Sequence, residues 1–117
     1  YNYQFKVFAG KLYSVVTLRS WDTFLGGPFN IAQYALLTHM VAHITGLQAM
    51  ELVVESHDTH IYQNHLDHAR LQLTRQFRPL PSLTFTRPIN SIDDFQFEDI
   101  VLSNYNPHPA IKAEIAV

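Results

Sequence analysis

Arg19 and Ser20 directly follow a strand-like run, and their types suit a ligand. A guanidinium beside a hydroxyl provides a planar charged fork and a neutral donor, which together suit a phosphate group. An arginine at the end of a strand also forms ordinary surface salt bridges. Spacing alone leaves both interpretations open and favours the salt bridge.

Asn30 follows the sequence Gly-Gly-Pro-Phe at the start of an apolar stretch. Its carboxamide carries one acceptor and two donors, so it can pair with the carbonyl and imide edge of a uracil. The alternative is that the side chain only caps a helix. Asp22, Gly26 and Gly27 lie close by in sequence, and the glycines either permit close approach to a flat ligand or merely turn the chain.

Histidine and aspartate cluster at residues 57–60 and 65–68, and both side chains are good ligands for zinc or iron. In the first cluster, however, the two histidines would point to opposite faces of a strand. In the second, the pair would share a helix face with no obvious third ligand. We therefore predict no metal site. Hydrogen-bonded or exposed histidines of no special function are predicted at His39, His43, His65 and His68.

The composition is that of a folded protein, with 47% hydrophobic and 15% charged residues. The net charge is -2 and no basic run occurs, which excludes the usual footprint of a nucleic-acid-binding protein but not a phosphate ligand. There is no cysteine, so the chain contains no disulfide and no cysteine nucleophile. The apolar stretches are too short to span a bilayer, and we predict a soluble, cytoplasmic protein.

Patterns of apolar residues and turn signals predict a mixed fold. Strands are predicted at residues 3–7, 12–18, 51–62, 82–86 and 100–102, the first two joined as a hairpin by Ala9-Gly10-Lys11. A long, largely buried helix is predicted from Pro28 to Gly46, after a loop at residues 19–28. A second helix is predicted from a capping Asn64 through Arg75, and one helical turn after Ser91. Strands and helices do not alternate regularly, which favours the α+β class.

The order of these motifs resembles the thymidylate synthase family. The resemblance starts with Arg-Ser-x-Asp-x-Phe-Leu-Gly-x-Pro-Phe-Asn-Ile-Ala-x-Tyr-Ala-Leu-Leu at residues 19–37. It continues with Asp-Thr-His-Ile-Tyr-x-Asn-His at 58–65 and Arg-Pro-Leu-Pro at 78–81. The tail adds Phe-Glu-Asp at 97–99, Tyr-x-Pro-His-Pro-x-Ile-Lys at 105–112, and a final Ala-Val. Together these motifs cover essentially the whole chain.

The resemblance implies one-carbon transfer from methylene-tetrahydrofolate to carbon 5 of dUMP, giving dTMP and dihydrofolate. It implies a thymidylate-synthase-like α+β fold, in which a mixed sheet packs with a long buried helix and one sheet face forms a homodimer. Residues 1–117 would be the C-terminal nucleotide- and folate-binding part of one domain. The expected partners are dUMP, folate and a second copy of the chain, with no membrane or nucleic acid required.

The resemblance also implies roles for individual residues. Arg19 and Ser20 would bind the phosphate, Asn30 would select uracil over cytosine, and His60 and Tyr62 would hold the ribose hydroxyl. The implied substrate-binding positions are Arg19, Ser20, Trp21, Asp22, Asn30, His60, Ile61 and Tyr62. Asp22 would also bind the pterin, and the implied cofactor-binding positions are Asp22, Leu25, Gly26, Phe29 and Ala116, the last in a C-terminal segment that closes over the site.

The family nucleophile is a cysteine thiolate that attacks carbon 6 of the uracil and so activates carbon 5. It lies in a Cys-His pair just before the position of Tyr1, so no catalytic residue is expected in the 117 residues and a preceding segment is expected to supply it.

Three residues depart from the family pattern, namely Trp21, Gly27 and His57. They raise the alternative of a dUMP hydroxymethylase, in which water rather than hydride attacks the exocyclic methylene and His57 helps to place that water. A second alternative is a nucleotide-binding fragment without catalysis. The departures are also compatible with changes in packing alone.

Overall fold

The computed structural model describes residues 2–115, which form two sheets and two helices. In chain order the elements are β1 Asn2–Phe8, β2 Lys11–Asp22, α1 Gly27–Thr45, β3 Gln48–His60, α2 Leu66–Leu73, β4 Ser82–Phe85 and β5 Ile100–Ser103. Short 3-10 turns lie at Gln63–His65, Ile92–Asp94 and Phe97–Asp99. The first sheet has the order β1-β2-β3 and the second pairs β4 with β5. The predicted α+β class is confirmed.

The first sheet is mixed because its two connections differ. A two-residue turn joins β1 to β2, which run antiparallel, and both turn residues have positive φ, 48° at Ala9 and 74° at Gly10. The helix α1 joins β2 to β3, which therefore run parallel. This parallel pair brings the carboxyl ends of β2 and β3 to the same edge of the sheet.

The core lies between α1 and the first sheet. Every second residue of β2 from Leu12 to Leu18 is buried, and Leu12, Val16 and Leu18 are at most 2% exposed. Ser14, also fully buried, lies with its hydroxyl 3.0 Å from that of Thr38 on α1. The Thr38 hydroxyl also contacts the Tyr34 carbonyl at 2.8 Å. Thr38 is thus a polar residue of α1 that lies in the core with its hydroxyl hydrogen-bonded.

The helix α1 has the predicted ends but less burial than predicted. Pro28 lies in its first turn, and Gly46 ends it in the left-handed conformation with φ 66°. Only Gly27, Thr38 and Ala42 are buried among its residues, because a single face of the helix packs on the sheet. Deep burial of the whole helix is not seen within residues 2–115.

Several predicted element boundaries were wrong, including the start of β3, which lies at Gln48 and not at residue 51. β2 continues through Asp22 instead of ending at residue 18, because β3 supplies backbone partners as far as the pair Asp22 and His60. β3 ends at His60, so Tyr62 lies beyond the strand. The second helix is shorter than predicted, and Asn64 lies in a 3-10 turn before it without capping it, since no side chain caps this helix.

The second sheet and the turn before it agree with the sequence. β4 and β5 match the predicted strands and pair antiparallel. Ser91 caps the helical turn, its hydroxyl accepting the Asp93 N–H at 3.4 Å. No helix within residues 2–115 is long and apolar enough to cross a membrane.

An ion pair between Arg87 and Asp99 stabilises the segment between β4 and β5. The Asp99 side chain, 8% exposed, accepts from Nε and Nη2 of Arg87 at 2.9 and 2.8 Å. It also accepts from the Gln96 N–H at 2.9 Å and the Thr86 hydroxyl at 3.1 Å. The bonds from Arg87 are the main reason that the pKa of Asp99 lies below its ordinary value, with those from Gln96 and Thr86 adding to it.

This ion pair predicts a loss of stability in acid. A carboxyl group whose pKa is depressed by folding stabilises the protein above its unfolded pKa of about 3.9, and that contribution disappears as the pH falls through the folded pKa. Asp99→Asn should therefore lower the urea midpoint of unfolding at pH 7. Below about pH 4, the midpoint of the variant should decrease less steeply with falling pH than that of the wild type. Asp67→Asn, which removes a carboxylate that is 91% exposed, is the matched control and should change little. An Asp99→Asn protein with the wild-type pH profile would contradict this assignment.

Candidate functional site

The predicted phosphate-binding residues lie at the end of β2, beside the end of β3. Ser20 pairs with Asp58 in the parallel register, and its hydroxyl donates to the Asp58 carboxylate at 3.4 Å. Arg19 is exposed, and its side chain has no ion pair or hydrogen bond within residues 2–115. The described part of the chain thus contains no acidic partner for Arg19 in the alternative role, a surface salt bridge.

The predicted ribose-binding residues adjoin this edge. The His60 ring is 30% exposed, and its Nδ1 lies 3.2 Å from the Asp58 carbonyl and 3.5 Å from the Asp58 carboxylate. Although Tyr62 lies beyond the strand, its ring meets that of His60 edge-on with centroids 5.1 Å apart. The two side chains therefore stand together, through a turn rather than through the shared strand face expected for residues two apart. Ile61, between them, is 42% exposed.

Asn30 lies in the first turn of α1, not at its cap. The cap position is Gly26, whose carbonyl accepts the Asn30 backbone N–H at 3.0 Å. The Asn30 carboxamide is half-buried and makes no hydrogen bond to another residue within 2–115. The helix-capping role does not apply to this side chain, and its donors and acceptor remain available to a ligand.

Asp22 shapes the loop that connects β2 to α1. One carboxylate oxygen accepts the N–H groups of Phe24 and Leu25, both at 3.3 Å, and the other accepts that of Gly26 at 3.2 Å. The Thr23 N–H continues the sheet by donating to the His60 carbonyl at 2.9 Å. An ionised carboxylate has about four acceptor positions, so the loop leaves Asp22 room for one donor from a ligand.

Leu25, Gly26 and Phe29, three more of the predicted cofactor-binding residues, lie in this loop or directly after it. Leu25 and Gly26 are half-buried, whereas Phe29 is 68% exposed. Trp21 is half-buried, and its indole Nε1 is buried without a hydrogen bond to residues 2–115. His57, the third departure from the family pattern, is exposed on β3. Ala116 lies outside the described residues.

His65 is a residue whose position the sequence did not reveal. It is fully buried, and its Nε2–H donates to the carbonyl of Glu114 at 2.6 Å, which fixes the C-terminal tail. Its ring contacts Phe24 and Tyr62, with centroids 5.6 and 5.9 Å away. The contact spans 49 residues of sequence, so no local pattern predicts it. His65 thus links the tail to the loop after Asp22 and to the predicted ribose site.

Among the described residues, no group of three or more histidine, aspartate or glutamate side chains is arranged to hold a metal ion. The site is instead a polar edge built from the ends of two parallel strands and the start of one helix. It offers a cation, hydroxyls, an imidazole and a carboxamide, which are the groups that recognise a phosphorylated, hydrogen-bonding ligand. A comparison with protein families gives a match to the family described as thymidylate synthase, over residues 1–117.

Proposed function

We propose, because the chain belongs to the thymidylate synthase family, that it binds dUMP and methylene-tetrahydrofolate in an enzyme that forms dTMP and dihydrofolate. The observation that carries the proposal is the meeting of β2, β3 and α1 at one edge. Arg19 and Ser20 stand on the first element, His60 on the second and Asn30 on the third. In this proposal one nucleotide lies along this edge and contacts all four side chains.

The phosphate of dUMP would bind at the end of β2. Arg19 offers two parallel N–H donors to phosphate oxygens, and the Ser20 hydroxyl offers a third donor once it turns away from Asp58. Asp58 is 72% exposed, so solvent compensates the carboxylate for the loss of that long hydrogen bond.

The sugar and the base would then extend toward α1. In this arrangement His60 and Tyr62 hold the ribose hydroxyl, and Nε2 of His60 is the available nitrogen because Nδ1 faces Asp58. Asn30 would accept from the uracil N3–H and donate to a uracil carbonyl. Cytosine has no N3–H and carries an amine in place of a carbonyl. Its N3 would therefore face the amide oxygen, acceptor to acceptor, and its amine would face the amide N–H, donor to donor.

The folate would lie over the loop after Asp22. Asp22 would accept from the pterin with its remaining acceptor position, and Leu25, Gly26 and Phe29 would provide apolar contact. Phe29 supports this role because a phenyl ring that is 68% exposed at the edge of a polar site is available to a flat heterocycle. Closure of a C-terminal segment that includes Ala116 would exclude water, anchored by the bond between His65 and Glu114.

Two parts of the proposed enzyme lie outside these residues. The chain has no cysteine, so the thiolate that attacks carbon 6 would come from a segment before Tyr1. A second copy of the chain would complete a homodimer across the sheet, where Val53 is 39% exposed next to a half-buried Val15.

Product analysis tests the proposed reaction. The full-length protein is incubated with dUMP and methylene-tetrahydrofolate, and both the nucleotide and the folate products are identified. We expect dTMP and dihydrofolate in equal amounts. 5-Hydroxymethyl-dUMP with tetrahydrofolate would instead establish the dUMP hydroxymethylase, the alternative raised by Trp21, Gly27 and His57. Binding of dUMP without turnover would leave a nucleotide-binding protein.

A further inference from the structure

Trp21 and Gly27 are in contact at the junction of β2 and α1. Gly27 is the first residue of the helix and is buried. A Cβ placed on it would lie 3.0 Å from Cε2 of the Trp21 indole and 3.1 Å from both Cζ2 and Nε1. A side chain at position 27 would therefore displace the indole, by a few tenths of an ångström for a methyl group and by more for a larger group.

Neither partner of this contact moves easily. Trp21 is paired with Thr59 in the parallel register, so its backbone is fixed within the sheet. Gly27 begins a helix whose Thr38 and Ala42 are buried, so its position is fixed by the core about three to four turns further on. A side chain at position 27 would thus force the indole out of its place or move the first turn of α1.

The segment between these two residues carries the predicted ligand contacts. It consists of residues 22–26, in which the backbone N–H groups of Phe24, Leu25 and Gly26 converge on the Asp22 carboxylate. The Gly26 carbonyl then accepts the Asn30 N–H at 3.0 Å. The contact between the indole and Gly27 therefore holds together the two ends of this short segment. It thereby fixes the position of Asn30 relative to Arg19 and Ser20.

We propose that Trp21 and Gly27 act as one positioning pair, which sets the distance from the phosphate-binding end of β2 to Asn30 and thereby the selectivity for uracil over cytosine. The inference deepens the proposed function and rests on it. A nucleotide has a fixed length from phosphate to base edge, so a shift of the helix start changes the fit of the base while the phosphate stays bound. In this proposal the pair acts through the residues that it positions and not by contact with the ligand.

A double-mutant cycle in the full-length protein tests the pair. The variants are Gly27→Leu, Trp21→Ser and the combination of both, and titration calorimetry measures their dissociation constants for dUMP and dCMP. Because overpacking of a rigid site displaces backbone, Gly27→Leu should weaken dUMP binding about tenfold or more and reduce the preference for dUMP over dCMP. Removal of the indole in the double variant should restore most of both losses.

The results that would contradict the positioning pair differ from those that would contradict the proposed function. If the effects of the two substitutions on the dissociation constants simply multiply, Trp21 and Gly27 do not act as a pair. A lower melting temperature with unchanged dUMP binding and selectivity would also overturn the proposal, because it indicates a role in packing alone. If Gly27→Leu does not fold, Gly27→Ala with and without Trp21→Ser repeats the cycle, since its Cβ requires the indole to shift by only a few tenths of an ångström. A wild-type protein that binds no dUMP would overturn the proposed function as well, whereas wild-type binding with multiplicative variants refutes the pair alone.

Discussion

Replacement of Asn30 by aspartate should shift the preference of the full-length protein from dUMP toward dCMP. A carboxylate accepts from the cytosine amine but opposes a uracil carbonyl, acceptor against acceptor. Each mismatched hydrogen bond costs about 1–3 kcal/mol, so the ratio of affinities for dUMP and dCMP should fall about a hundredfold when two are changed. Titration calorimetry with both nucleotides measures the ratio directly.

Asn90→Asp is the matched control for this substitution. It makes the same chemical change on an exposed residue next to Ile89, whose N–H donates to His43 near the far end of α1. His43 is thirteen residues from Asn30, which corresponds to about 20 Å along a helix. Asn90→Asp should leave the ratio unchanged. An unchanged ratio in Asn30→Asp would mean that the half-buried carboxamide does not read the base.

Replacement of Arg19 by methionine should weaken dUMP binding about a hundredfold while leaving the binding of deoxyuridine almost unchanged. The guanidinium is exposed and unpaired within residues 2–115, so its removal leaves no protein partner unsatisfied. The loss then reports on charge-assisted hydrogen bonds to phosphate, which contribute about 1.5–3 kcal/mol each. Deoxyuridine lacks the phosphate and serves as the reference ligand.

Lys6→Met provides the control for the change in charge. Lys6 is an exposed cation of the same sheet and pairs with Tyr13, six residues before Arg19 on β2. At about 3.3 Å per residue, this places it about 20 Å from the proposed phosphate. Lys6→Met should bind dUMP as the wild type does. Equal losses for dUMP and deoxyuridine in Arg19→Met would assign Arg19 a role in folding rather than in phosphate binding.

The local features of the fold were predictable because local chemistry determines them. The turn at Ala9 and Gly10, the start of α1 at Pro28 and its end at Gly46 follow from the backbone preferences of a few adjacent residues. The end of β2 was not predictable in this way. Its last residues are polar, and they stay in the strand because β3, 38 residues away in sequence, supplies their hydrogen-bond partners.

In the candidate site, too, some features follow from local sequence and others depend on distant residues. The types of Arg19 and Asn30 suggested their chemistry, but only the parallel pairing of β2 with β3 brings them to one edge with His60. The roles of His65 and Gly27 depend on contacts that the sequence pattern does not contain. One is a hydrogen bond to the distant Glu114 carbonyl, and the other is the volume of an indole six residues earlier.

A crystal structure of the full-length protein with dUMP bound tests the central claim most directly. The account predicts phosphate oxygens about 3 Å from the Arg19 guanidinium and the Ser20 hydroxyl, with the Asn30 carboxamide at the same distance from the uracil edge. A nucleotide bound with its phosphate away from the end of β2, or with its base away from the first turn of α1, would contradict it.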